Sequence, residues 1–166
     1  KLRTMSWQYF DFDDMAKSTL GYHWRELTSA QRQEFVPLFA EFIQDAFLSK
    51  LEQSTVKMVQ QEARTARIQY LKQIYLSPDD AEVQTSVTVQ DQRAPLAVDF
   101  KMFRSDGQWR VYDITIDAIS IIANYRNQFD RVINQRGFDV LVADLKAKRQ
   151  QLQEYMRSEA HAAANR

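Results

Sequence analysis

The sequence predicts an α+β domain: a four-stranded twisted antiparallel meander flanked by N- and C-terminal helices. Three observations predict it. An early segment repeats its apolar residues at three- and four-residue steps. The middle of the chain alternates apolar and polar residues and is punctuated by short turns. Helical spacing then returns and runs toward the C-terminus. A length of 166 residues fits one domain able to bury a core of its own. Residues 1–157 are assigned to that domain, and the Ala-rich polar tail 158–166 is expected to fray.

The elements follow in order. Asp13 or Asp14 can cap a short helix that stops at Gly21, a residue suited to the left-handed C′ position. Thr28 and Gln31 form a Thr-x-x-Gln capping box. Behind it, Phe35, Leu38, Phe39, Phe42, Ile43, Ala46, Phe47 and Leu51 mark the clearest amphipathic helix. Pro37 lies inside that helix and cannot donate to the Gln33 carbonyl, so a kink is expected there. Good helix formers and no breaker extend the helix through 52–66.

The period then shortens to two. Ile68, Tyr70, Ile74 and Leu76 mark a first strand, and Ser77-Pro78-Asp79-Asp80 a turn. Val83, Thr85, Val87 and Val89 alternate with polar residues in a second strand. Asp91 to Pro95 turns the chain into a third strand, with Leu96, Val98, Phe100 and Met102 on one face. Asp106-Gly107 signals a hairpin into Trp109–Ile116. Ile119, Ile122, Tyr125, Phe129, Val132 and Ile133 then read as one helix ending at Gly137, and Asp139 can cap the last helix.

Composition excludes several function classes. Twenty-two basic residues balance 22 acidic ones, so no long-range field draws in nucleic acid or an anionic membrane. The chain has no Cys, which removes disulfides, thiolate nucleophiles and thiolate metal sites. No apolar run reaches the ~18 residues of a membrane span. Only His23 and His161 are present, neither with a second ligand at metal spacing, and no metal is expected. No glycine-rich phosphate loop or Gly-x-Ser-x-Gly elbow occurs. Asp113 and Asp117 form a possible carboxylate pair. The simpler reading turns Asp113 to solvent or to an Arg, and has Asp117 cap the next helix. The large apolar residues of helices and sheet either fill one another or surround a chamber; their pattern alone leaves both open.

Two segments carry a family resemblance. One is Leu20-Gly21-Tyr22-His23-Trp24-Arg25-Glu26-Leu27-Thr28-Ser29-Ala30-Gln31-Arg32-Gln33-Glu34-Phe35. The other runs from Gly107-Gln108-Trp109-Arg110-Val111-Tyr112-Asp113 through Ile119-Ser120 to Asn124-Tyr125-Arg126-Asn127-Gln128-Phe129. With Gly137-Phe138-Asp139 and Leu145-Lys146-Ala147-Lys148, they resemble the MlaC family, also called toluene-tolerance or ABC-transporter auxiliary proteins. The resemblance spans roughly residues 10–150. The family commonly has Glu-Gly-Val/Ile-Ser where this chain has Asp117-Ala118-Ile119-Ser120, and loss of that Gly is expected to stiffen the joint. The family's signal peptide and leading helix are expected to have been removed or left out ahead of Lys1.

The resemblance implies a periplasmic carrier, not an enzyme. Such a carrier shuttles glycerophospholipid between an outer-membrane lipoprotein complex and an inner-membrane ABC transporter with a ring-forming lipid-binding subunit. It implies no cofactor, only phospholipid as cargo, and neither nucleic acid nor integral membrane insertion. The meander and helices then enclose an apolar pocket, at or above the upper end of the ~300–1,000 Å³ of ordinary ligand sites. Expected lining residues are Phe39, Phe42 and Phe47 from the long helix. The sheet contributes Val87, Val89, Phe100, Met102, Ile114 and Ile116, and the following helix Ile119, Ile122 and Phe129. Asn124 and Arg126 are the head-group candidates; alternatively Arg126 pairs with a nearby carboxylate.

Two other classes stay open. An NTF2-like small-molecule enzyme would need a buried Asp, Tyr or His in an apolar chamber. Asp113 with Tyr112 is the best candidate, though strict alternation points the two to opposite faces. A ligand-free adaptor domain would simply have a filled core.

Overall fold

The computed structural model describes residues 8–55, 67–88 and 94–164. Helix α1 spans Phe12–Leu20. Its cap is Asp11, whose carboxylate accepts from the Asp14 N–H at 2.8 Å; Asp13 and Asp14 lie in the first turn instead, where they favour the positive end of the helix dipole. Gly21 ends it at φ +56°. Helix α2, His23–Glu26, is a single turn. The expected capping box then forms. Thr28 N–H donates to Gln31 Oε1 at 2.9 Å, and Gln31 N–H donates to Thr28 Oγ1 at 3.2 Å. It opens α3, Ser29–Thr55, with Pro37 inside. The extension beyond Thr55 to residue 66 lies outside the described residues.

The strands are β1 (Arg67–Ser77), β2 (Asp80–Thr88), β3 (Leu96–Ser105), β4 (Gln108–Ile116) and β5 (Ile119–Ser120). They form one antiparallel sheet in the order β1-β2-β3-β4-β5. The expected meander is therefore present, lengthened by a two-residue fifth strand. That strand exists because Asp117 and Ala118 both take positive φ, at +46° and +65°, and make a tight reversal out of β4. Asp117 locks the reversal to the start of β3. It donates its N–H to Ala97 O and accepts the Ala97 N–H on Oδ1.

Asp117 is thus a turn residue and not a helix cap. The cap is Ser120, which accepts from Ala123 N–H at 2.9 Å. Helix α4 accordingly starts at Ile121 and ends at Arg136, and Ile119 belongs to the sheet. Gly137, at φ +91°, separates α4 from α5 (Phe138–Ala164) with no loop between them. Asp139 lies in the first turn of α5, and residues 158–164, expected as a frayed tail, continue that helix.

The buried core is helical. Phe12, Met15 and Leu20 of α1, Phe35, Leu38, Phe39 and Phe42 of α3, Ile122 and Phe129 of α4, and Leu141 and Leu145 of α5 pack as one cluster. Phe129 meets Phe35 and Phe39 edge-on at 6.2 and 6.3 Å, and Tyr125 meets Phe42 edge-on at 5.4 Å. These are favourable quadrupole arrangements between tightly packed rings. Every described residue of that cluster comes from the helices or the segments joining them, except Phe10, which precedes α1 and bridges to Val111 of β4; strands β1–β5 contribute none.

Candidate functional site

Antiparallel partners point to the same side of a sheet, so the register sorts the strand residues into two faces. Ala81↔Met102, Val83↔Phe100, Thr85↔Val98 and Val87↔Leu96 pair across β2 and β3. Phe100↔Ile114 and Val98↔Ile116 carry the same face into β4, and Ile116↔Ile119 into β5. Ile68↔Val87, Tyr70↔Thr85 and Tyr75↔Ala81 carry it the other way into β1. The result is an almost wholly apolar face. The opposite face carries Asp80, Glu82, Gln84, Ser86, Asp99 and Lys101.

The expected sheet residues Val87, Phe100, Met102, Ile114 and Ile116 share this apolar face, all half-buried. Ile119 lies at its rim, 64% exposed. Val89 lies outside the described residues, as does the side chain of Phe47. Phe39, Phe42, Ile122 and Phe129 are buried members of the helical cluster, where Phe39 meets Phe129 and Phe42 meets Tyr125. The register also adds Val83, Val98 and Val111, which the expected set omitted. For Val83 and Val98 the signal was the same alternation that pointed to their neighbours; Val111 reaches this face only through an irregularity in β4.

One irregularity changes the reading of β4. Lys101 pairs with Asp113 and Met102 with Val111, so Tyr112 is an extra residue in a β-bulge. The bulge breaks the strict alternation and turns Tyr112 to the side of Asp113. The Tyr112 hydroxyl donates to Asp80 Oδ1 at 3.2 Å, and its ring lies 5.9 Å from Phe103. Burial and the Asp80 carboxylate push the phenol up to about 12.

Asp113 is buried and faces neither solvent nor an Arg. It accepts from Ser120 Oγ at 2.6 Å and from Ile122 N–H at 3.2 Å, with Lys101 Nζ at 3.8 Å. Both short bonds go to the strand-to-helix joint. The carboxylate fastens the sheet to α4.

The head-group candidates are also placed. Arg126 Nε donates to the Ser18 carbonyl at 2.6 Å, satisfying the last turn of α1. Its partner is a backbone carbonyl and not a carboxylate. Asn124 accepts from Gln128 Nε2 at 3.2 Å on the exposed side of α4. Arg126 lines a surface cleft of about 380 Å³ with Leu20, Gly21, Tyr22, Asn127 and Asp130. Beside it, His23 Nε2 lies 2.9 Å from Asp130 Oδ1, and this bond to the His ring holds the Asp130 carboxyl below its ordinary value. Among the described residues no cluster of His, Asp and Glu could hold a metal ion.

Fold and site together define an α+β protein whose sheet carries an apolar face outside a separately packed helical core. A family model described as MlaC protein matches residues 1–147, and the chain belongs to the MlaC family. The intermembrane phospholipid transport system binding protein MlaC of Haemophilus influenzae is 19% identical over 140 residues, 82% of this chain. The chain spans 61% of the length of that relative. A solved phospholipid-binding protein from Ralstonia solanacearum, in complex with a phospholipid, superposes with a TM-score of 0.74 at 25% identity. The match covers 88% of this chain and 76% of that one.

Proposed function

We propose that this chain is a phospholipid carrier that shields acyl chains on the apolar face of its sheet and leaves the head group in water. The observation that carries this reading is the register, which gathers Val83, Val87, Val98, Phe100, Met102, Ile114 and Ile116 on one face outside the helical core. Free acyl chains cost about 0.8 kcal/mol per methylene exposed to water, so a carrier needs continuous apolar cover and little polar readout. Contacts of this kind discriminate weakly between tails. Phe39, Phe42, Ile122 and Phe129 then act as the packed support of the fold, with the sheet residues as the cargo surface. Arg126 and Asn124 already serve structural partners, so head-group contacts are few.

The solved relative with its bound phospholipid and the transport function named for the Haemophilus protein support this reading. In the cell the carrier works in the periplasm. It takes lipid to or from an outer-membrane lipoprotein complex and the lipid-binding subunit of an inner-membrane ABC transporter. It performs no chemistry on its cargo and requires no metal. The experiment is native mass spectrometry of the protein purified from a Gram-negative host, before and after EDTA. The expected spectrum carries a phospholipid mass that survives chelation. A ligand-free, cooperatively folded protein refutes the reading in favour of an adaptor domain; loss of lipid with EDTA refutes the metal-free part.

A further inference from the structure

Among the described residues strand β1 is an unpaired edge of the sheet, and it is unusually apolar for an edge. Ile68, Tyr70, Leu71, Tyr75 and Leu76 are all more than half exposed. An exposed run of this kind ordinarily marks an interaction surface. Its backbone is poorly suited to pairing with another strand. Register shifts at Tyr70/Lys72 and Tyr75/Ser77 make Leu71 and Leu76 the extra residues of two bulges, which twist an edge away from a flat partner. A second copy aligned antiparallel about the strand centre would set Lys72 against Lys72, a repulsive pair. The edge is blunted for strand addition while its side chains remain on display.

The chemistry of those side chains fits a lipid surface. Strand β1 carries Arg67 and Lys72, both exposed, and no Asp or Glu. Tyrosines combine an apolar ring with a polar tip suited to the head-group boundary, and lysine and arginine at that depth meet anionic lipid. Ile68, Tyr70 and Tyr75 also continue the apolar face of β2 into the edge, with Gln73 the one polar residue among them.

We infer that β1 is a membrane-docking edge that seats on an anionic phospholipid bilayer, so that an acyl chain can slide across it onto the sheet face. The inference rests on the carrier reading for its purpose, but its binding step is separately measurable.

The experiment is vesicle flotation of the full chain. One set of vesicles is phosphatidylcholine alone, the other phosphatidylethanolamine with phosphatidylglycerol. The wild-type chain is expected to float with the phosphatidylglycerol vesicles. Leu71→Ser with Leu76→Ser is expected to lower binding by about tenfold or more, because two apolar groups no longer leave water. Lys72→Glu is expected to weaken binding to the anionic vesicles alone. The lipid co-purifying with each variant, read by native mass spectrometry, is expected to stay at the wild-type level, which also shows that the variants fold. A wild-type chain that carries phospholipid yet floats with neither vesicle overturns this inference and leaves the carrier reading intact. A chain that floats but carries no lipid does the reverse. Flotation unchanged in the Leu71/Leu76 variant overturns it, as does a concentration-dependent dimer that the same variant abolishes.

Discussion

Asp113→Ala is expected to cost about 3 kcal/mol of folding stability, from two charged hydrogen bonds that each contribute ~1.5–3 kcal/mol and are not fully additive. The Ser120 hydroxyl donates at 2.6 Å and the Ile122 N–H at 3.2 Å. Ser120 keeps its own acceptor role toward Ala123 and can turn its proton elsewhere, so part of its bond is recovered. Ile122 is buried in the first turn of α4, and its N–H has no water to turn to. Lys101, at 3.8 Å and one-third exposed, adds little. Asp113→Asn retains a carbonyl for Ile122 but presents N–H groups to Ser120, and should cost about 1 kcal/mol. Equilibrium urea unfolding checks this, with the slope m unchanged and the midpoint shifted. The same loss lowers the melting temperature of the Ala variant by roughly 6–12 °C. An Ala variant within about 0.5 kcal/mol of wild type, the ordinary range for surface substitutions, would refute the clasp role. So would an Asn variant less stable than the Ala variant.

Ala118→Gly should stabilise the fold by about 0.5–1 kcal/mol in the same urea assay, since an L-residue at φ +65° costs ~1–2 kcal/mol and Gly gives part of that back in chain entropy. Ile116→Trp should lower co-purifying phospholipid with little change in melting. Phe129→Ala, inside the helical core, should cost ~3–5 kcal/mol and read out first as lost stability. Arg126→Ala should leave bound lipid at the wild-type level and cost about 1 kcal/mol, the worth of its bond to Ser18. The Tyr112 phenol, raised from 10.0 to about 12, contributes stability that is complete below pH 10.0 and is lost as pH rises through about 12. Tyr112→Phe should flatten that part of the alkaline unfolding curve.

Alternation in the sequence places Val87, Phe100, Met102, Ile114 and Ile116 on one face, and the structure keeps them there. The Thr28–Gln31 box and the Gly137 stop were equally readable, because each is a local pattern with a local cause. The turn at Asp117-Ala118 was not. Both residues adopt positive φ without the Gly or Asn that announces such turns, so Ile119 read as helix. The Tyr112 bulge was invisible for a related reason: one inserted residue reverses the facing of everything on one side of it while the residue types still alternate. Helical period told that Phe39, Phe42 and Phe129 point inward. It could not tell that Phe39 meets Phe129 and that Phe42 meets Tyr125, since the neighbour across an interface is a property of the assembled layers.

Strength and cargo surface reside in different layers of this molecule, and on the carrier reading that has a thermodynamic consequence. Among the described residues no member of strands β1–β5 belongs to the helical cluster, so emptying the sheet face removes no member of it. Loading then adds only the linkage stabilisation RT ln(1 + [L]/Kd) to a chain already folded. A partner that withdraws the lipid works against affinity alone, with no folding free energy to oppose it. The same division leaves the sheet face open to drift: substitutions there retune what is carried while the melting point barely moves.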